Sequence, residues 1–180
     1  MIYLISDTHL NHANMIDFCG RPADFEKIIL KNLKNLKSTD RLIHLGDICM
    51  GKDELMHQKL NESCMAKRIL IKGNHDKKSY SYYMDRGWNF VCSSLTMSAY
   101  GREITFSHKP IPTENVNIYG HFHTSHNSTC EQELINILTP HHWQFCLEFT
   151  EYQPVPLEKF IEYCSVTKKT SHGRIIYKNA

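Results

Sequence analysis

The chain has 180 residues, 41% hydrophobic and 22% charged, enough for one compact unit, spanning residues 1–180, that buries its own core. A formal net charge of +2 gives no electrostatic footprint for duplex nucleic acid, so composition neither suggests nor excludes nucleic acid as a partner. Seven cysteines, odd in number and without a CxxC pair, fit reduced thiols better than a disulfide framework or zinc finger; with no signal-peptide pattern and no apolar run of membrane-spanning length, a cytoplasmic protein with no membrane partner is expected.

The apolar run Ile2–Ile5 ends abruptly in polar residues, as a strand buried on both faces does when it opens into a loop. From Arg21 to Lys37 the positions of Phe25, Ile28, Ile29, Leu33 and Leu36 predict one apolar helical face, with Pro22 in the first turn. Leu42–Leu45 predicts a second strand, Lys52–Cys64 a helix and Arg68–Ile71 a third strand. This alternation implies parallel strands joined by helical crossovers, with ligands gathered beyond the carboxyl ends of the strands.

A further helix is expected near Lys77–Arg86, after which the pattern changes. Leu95–Ala99 and Glu103–Ser107 flank a Tyr100-Gly101 turn and predict a hairpin; Val116–Tyr119 and Phe145–Phe149 predict more strands, and Pro156–Tyr163 a last helix. Strands that follow an alternating half suggest a second sheet packed on the first. The chain from Val166 onward reads as a loosely ordered tail.

Twelve histidines are a large excess, and most stand beside Asp, Asn or Gly in short clusters. Five stretches follow predicted strands: Asp7-Thr8-His9, Gly46-Asp47, Gly73-Asn74-His75-Asp76, His108, and Gly120-His121-Phe122-His123. Residues i and i+2 of a strand share a side, so Asp7 with His9 and His121 with His123 can each aim two groups at one cavity. Asp, Asn and His form a mixed oxygen and nitrogen donor set suited to Mn, Fe, Zn, Ni or Co. Each pair alone is weak; their joint order is specific.

In that order the blocks DxH, GD, GNH[DE], a lone His and GHxH resemble the calcineurin-like metallophosphoesterase superfamily, and the start of the chain, SDTHLNHAN followed by Arg21-Pro22, resembles its small bacterial and phage members. The resemblance implies an α/β fold of two mixed β-sheets packed as a sandwich with flanking helices, with two divalent transition metals at one edge, manganese foremost. It implies Asp7, His9 and His123 on one metal, Asn74, His108 and His121 on the other, and Asp47 bridging both. The expected activity is hydrolysis of phosphomonoesters or phosphodiesters, nucleotides and cyclic nucleotides among them, with hydroxide held by the metal pair as nucleophile. The alternative is a binding module that kept the fold and lost catalysis.

In the family pattern His75 contacts the phosphate and the leaving oxygen as acid or charge stabiliser. Many relatives continue the second block as GDxxD, where the later Asp orients this histidine; here that position is Met50, leaving Asp76 and Asp53 as candidate substitutes. Asn11 and His12, after the first block, are candidate substrate contacts, weighed against loop and helix-capping roles. Arg21 is a candidate phosphate clamp, weighed against a solvated position at the helix start. His44 is expected to be a hydrogen-bonded structural histidine, whereas His126, His141 and His142 fall in a connection that could cover the site. His57 and His172 carry no assignment, and Trp143 and Phe145 are read as core.

Overall fold

A computed structural model describes residues 1–124, 132–167 and 175–178. The strands are β1 (Ile2–Ile5), β2 (Arg41–His44), β3 (Lys67–Ile71), β4 (Phe90–Cys92), β5 (Ser94–Ala99), β6 (Arg102–Ser107), β7 (Val116–Tyr119), β8 (His142–Gln144), β9 (Val155–Pro156) and β10 (Ile175–Ile176). The helices are α1 (Met15–Cys19), α2 (Phe25–Leu33), α3 (Asp53–Ser63), α4 (Tyr80–Met84), α5 (Gln132–Asn136) and α6 (Leu157–Val166). Two five-stranded sheets form, in the orders β4-β3-β2-β1-β9 and β10-β8-β7-β6-β5. Each mixes parallel and antiparallel pairs, and helices flank them. No helix among the described residues is long and apolar enough to cross a membrane.

Register explains why the motifs meet. Ile5 of β1 pairs with His44 of β2, and His44 with Leu70 of β3, so three parallel strands end level and release their loops from one edge. In the other sheet Ser107 pairs with Tyr119, so His108 and Gly120 leave β6 and β7 as neighbours. The buried strand residues Leu4, Ile5, Ile43, Leu70 and Ile71 share one core with Ile104, Phe106, Ile118 and Phe145. Burial of that apolar surface is what fixes the two sheets face to face.

The β5–β6 hairpin forms over the predicted residues. Tyr100 and Gly101 both take positive φ, 51° and 72°, as the two-residue turn that suits strand twist requires. The first long helix is shorter than predicted: Pro22 opens a turn that leads into it, and Lys34, Asn35 and Leu36 tighten to bonds three residues back. Phe25, Ile29, Leu33 and Leu36 are still buried, as their spacing requires.

Elsewhere local pattern misled. The strand predicted over Phe145–Phe149 lies earlier, at His142–Gln144, and Leu147–Phe149 is a turn of 3-10 helix, because Glu148 must turn to a buried cation. His142 is therefore a buried strand residue bonded to Thr139 and the Ile111 carbonyl, not part of a covering loop; His141 is exposed, and His126 lies outside the described residues. Past Val166 the sequence reads as a loose tail, yet Ile175–Ile176 pairs with β8 and Tyr177 is buried. The Tyr177 ring stacks 5.2 Å from Phe160 of α6, whose other neighbour is Phe145 at 5.9 Å.

Phe160 is fully buried between those two rings, so Phe160→Ala is expected to cost about 3–5 kcal/mol by removing transfer energy and leaving a cavity. Urea unfolding measures it. A loss below about 1 kcal/mol would show that the returning strand does not close the core there.

Candidate metal centre

The five blocks converge. Asp7, His9 and His123 bring ligand atoms within 4.8 Å of one another, and so do Asp47, His108 and His121. The Asn74 Oδ1 lies 2.8 Å from His108 Nε2, which adds it to the second group. Between the groups stands Asp47, its Oδ2 3.4 Å from His108 Nε2 and 3.7 Å from His9 Nε2.

Strand alternation does not aim these side chains, contrary to the i, i+2 expectation. The strands stop at Ile5 and Tyr119, and Asp7, His9, Asp47 and His121 all take left-handed φ between 44° and 66°. Non-glycine residues rarely adopt that region, and such strain persists only where surrounding contacts hold it. Here Asp7 N donates to Gly46 O (2.9 Å), His9 N to Asp47 O (3.0 Å) and Leu10 N to Ile48 O (2.9 Å), binding the first two blocks backbone to backbone. Gly46, at φ +97°, has no room for a Cβ, which would sit 2.5 Å from Gly73 N. At Gly120 a Cβ would strike Ser6 and the Asp7 carboxylate, so glycine lets the last block close on the first.

The rings are set with lone pairs inward. His108 Nδ1 faces the Leu45 carbonyl at 2.8 Å and His123 Nδ1 faces Glu148 Oε1 at 3.1 Å, leaving both Nε2 atoms toward the clusters. The Nε2 atoms of His9 and His123 approach to 3.2 Å, and His108 Nε2 lies 3.1 Å from His121 Nδ1. Burial and the neighbouring His123 push His9 down to about 2, so it is a neutral donor at any ordinary pH. Burial also lowers His108, but the Asp47 hydrogen bond and the charges of Asp7 and Asp47 outweigh it and raise the ring to about 9. His123 is raised in the same way by Glu148 and Asp7 against burial.

These donors fit a divalent metal pair. Asp7 Oδ2 accepts from Ser6 Oγ and from His121 N, whereas the buried Asp7 Oδ1 has no hydrogen-bond partner among the described residues and faces the Nε2 atoms of His9 and His123 at 3.9 and 3.8 Å, an acceptor left for a cation. Imidazole nitrogens crowded together beside two buried carboxylates are an arrangement that a shared cation stabilises.

Other expected site residues fall in different places. His75 lines the cavity with Nε2 3.9 Å from Asp47 Oδ2, while its backbone N donates to Asp47 Oδ1 at 2.8 Å. His12 also lines the cavity, its Nδ1 3.3 Å from His9 Nδ1. Asn11 instead binds across blocks, giving Nδ2 to the Met50 carbonyl (2.7 Å) and its backbone N to Glu26 (2.9 Å). Asp76 turns its carboxylate onto the backbone amides of Asp47 (2.8 Å), Gly73 (2.8 Å) and Ile48 (3.1 Å), so it pins two blocks together instead of facing the cavity. Asp53 makes no ion pair with His75; Met50 simply forms cavity wall.

Arg21 is only 2% exposed and sits behind the site. It donates to Glu148 Oε1 from Nε (2.9 Å) and Nη2 (2.7 Å), and to the Asp7 and Thr8 carbonyls (2.8 and 3.1 Å). Glu148 thus holds Arg21 and His123 together, and the Arg21 charge with the His123 bond keeps its carboxyl well below the usual range despite burial. Sequence reasoning missed Glu148. Its signal was a lone carboxylate in the apolar run from Phe145 to Phe149, which demands a buried partner.

His44 is the structural histidine its position suggested. Gly46 N donates to its Nδ1 (3.1 Å), so Nε2–H donates to Thr8 Oγ1 (2.9 Å), and that hydroxyl donates to the Ile48 carbonyl (2.8 Å).

A two-sheet sandwich with two such donor clusters at one edge has the build of a metallophosphoesterase. The chain belongs to that family: residues 1–138 match the model of the calcineurin-like phosphoesterase superfamily domain. Membership implies divalent metal ions and a phosphate-ester substrate. An uncharacterized protein of Methanocaldococcus jannaschii, MJ1445, is 28% identical over 174 residues and covers 89% of each chain. The crystal structure of AQ665 from Aquifex aeolicus, a protein of unknown function, superposes with a TM-score of 0.68 at 26% identity, covering 90% of this chain and 98% of that one. The Pseudomonas putida nuclease MPE overlaps less, with a TM-score of 0.44 at 20% identity over 67% of this chain and 60% of its own.

Burial holds His44 down to about 3, against about 6.5 in an unfolded chain. As pH falls from 6.5 toward 3 the unfolded chain takes up a proton that the folded ring refuses, so stability drops with pH in that window. His44→Gln is expected to make that slope shallower by up to about 1.4 kcal/mol per pH unit, read from urea unfolding at stepped pH. An unchanged slope would show that the folded His44 ring takes up a proton as readily as the unfolded chain does.

Proposed function

We propose that this chain is a binuclear metal-dependent phosphoesterase, with Asp7, His9 and His123 holding one ion, Asn74, His108 and His121 the other, and Asp47 shared between them. One observation carries the reading: the buried Asp47 carboxylate stands within 4 Å of imidazole nitrogens from both clusters. A divalent pair supplies positive charge for phosphoryl oxygens and acidifies a water for attack on phosphorus, so no Ser or Cys nucleophile is needed.

The chain's own residues do the rest. Glu148 keeps the His123 hydrogen on Nδ1, and the Leu45 carbonyl does the same for His108, so both present Nε2. Arg21 anchors the carbonyls of the first block, and Asp76 sets the backbone angle of Asp47. His75 stands at the mouth, about a third exposed, where its Nε2 can give a hydrogen bond to a phosphoryl oxygen or a proton to the leaving oxygen. Asp47 Oδ2 lies 3.9 Å from that same Nε2, which keeps the ring next to the shared carboxylate, and no acid takes the place of the one missing at Met50 among the described residues. Manganese suits this donor set, and iron, nickel, zinc and cobalt remain within its range.

Asp47→Asn removes a charge shared by both ions. It should lower bound metal, read by elemental analysis, and cut hydrolysis of bis(4-nitrophenyl) phosphate by at least about a hundredfold, on the scale of other losses at metal sites. His75→Ala should keep the metal and lower kcat by about a hundredfold or more, the usual scale of general acid catalysis. Full metal and full activity in Asp47→Asn would refute the shared position, and metal loss in His75→Ala would make it a ligand. A wild type that holds metal without turnover would instead be a scaffold.

A further inference from the structure

The cavity over the clusters has a volume of about 510 Å³, within the range of small-molecule sites and far larger than a phosphate group needs. It is two-sided. One side is the polar floor of His9, Asp47, Asn74, His75, His121 and His123, with His12 next to His9. The other is an apolar wall of Met15, Phe18, Cys19 and Met50.

The wall is built and held. Met15, Phe18 and Cys19 follow the i, i+3, i+4 spacing that puts side chains on one helical face, and α1 comes directly out of the first block. Its end is tied to the chain just past the last block by Thr124 Oγ1, which donates to the Cys19 carbonyl at 3.1 Å. Met50 is fixed through its backbone, giving N–H to Leu10 O (2.9 Å) and taking Asn11 Nδ2 on its carbonyl (2.7 Å). Met15 reaches the core, but Phe18 is 59% exposed at the rim, a large ring left in water beside two methionines.

No lysine or arginine lines this cavity among the described residues, so beyond the metal end it offers no fixed cation for a second anionic group; His12 is the one further polar side chain of its lining. Thioether and phenyl surfaces favour a flat ring, through sulfur–aromatic contact and ring packing.

We propose that the Met15, Phe18 and Met50 wall is a subsite for a flat, uncharged aromatic group esterified to the phosphate, such as a nucleobase-bearing nucleoside. This rests on the phosphoesterase reading and names its substrate class: esters with one phosphate and a ring, in preference to alkyl esters or polyphosphates. The ring would cover Phe18, and the phosphate would lie over the polar floor.

The test compares adenosine 5′-monophosphate, phenyl phosphate and methyl phosphate as ligands of the metal-loaded protein by calorimetry, since all three present the same dianion to the metal end. Expected are dissociation constants at least about tenfold lower for the two ring-bearing ligands, because sulfur–aromatic and ring contacts add to the shared phosphate affinity. Adenosine binding tighter than phenyl would assign the ring to a nucleobase, and the reverse to a smaller aryl ester. Phe18→Ala should remove most of that preference and Phe18→Trp should keep it, whereas Phe90→Ala, an exposed ring on β4, should not change it. Equal affinity for all three, with turnover of the aryl diester intact, would overturn the subsite and leave the phosphoesterase reading standing. Absence of both turnover and binding would overturn both.

Discussion

Two carboxylates, Asp7 and Asp47, are almost fully removed from water at one edge of the sandwich. Burying an ion costs several kcal/mol unless charge and hydrogen bonds replace the lost hydration, and that constraint organises everything around them. Part of the replacement is visible in the amides of His75 and His121 and the hydroxyl of Ser6, each given to one of these carboxylates. The remainder is the ring of imidazoles, of which His108 is raised toward its charged form by Asp47 and Asp7, and His123 by Glu148 and Asp7. Protons on those rings and divalent ions between them are competing answers to one electrostatic demand.

A second layer fixes where those groups sit. Level strand ends bring the loops to one edge, but the last step is made by left-handed backbone at Asp7, His9, Asp47 and His121. Asp76 behind the second block and the Arg21–Glu148 pair behind the first and last supply the contacts that hold this strain. The pair also spans the sheets, joining the connection between α1 and α2, and through it the Asp7 and Thr8 carbonyls after β1, to the 3-10 turn after β8. Stability and site geometry therefore depend on the same buried ions, and removing one partner would leave the other uncompensated in the core.

Much of this was legible in the residues. Short apolar runs ending in Asp, Asn and His marked the strands and the loops that matter, and the Tyr100-Gly101 pair marked the hairpin to the residue. What was not legible is what depends on partners distant in sequence. Arg21 reads locally as a solvated helix-start residue, and only Glu148, 127 positions away, makes it a buried anchor. Glu148 reads as a strand residue for the same reason, and Asp76 reads as a candidate partner of His75 until three backbone amides are seen to occupy it. Ile175–Tyr177 reads as tail because a two-residue edge strand carries too little pattern to be recognised without β8 beside it. The apolar wall was missed because a five-residue helix gives too few positions for its periodicity to show.

The central claim is that Asp47 is common to two ions. Electron paramagnetic resonance of the manganese-loaded protein tests it most directly. A shared carboxylate predicts two manganese ions per chain and a spin-coupled multiline spectrum that collapses in Asp47→Asn. A single ion per chain with an uncoupled six-line signal, unchanged by that substitution, would contradict it.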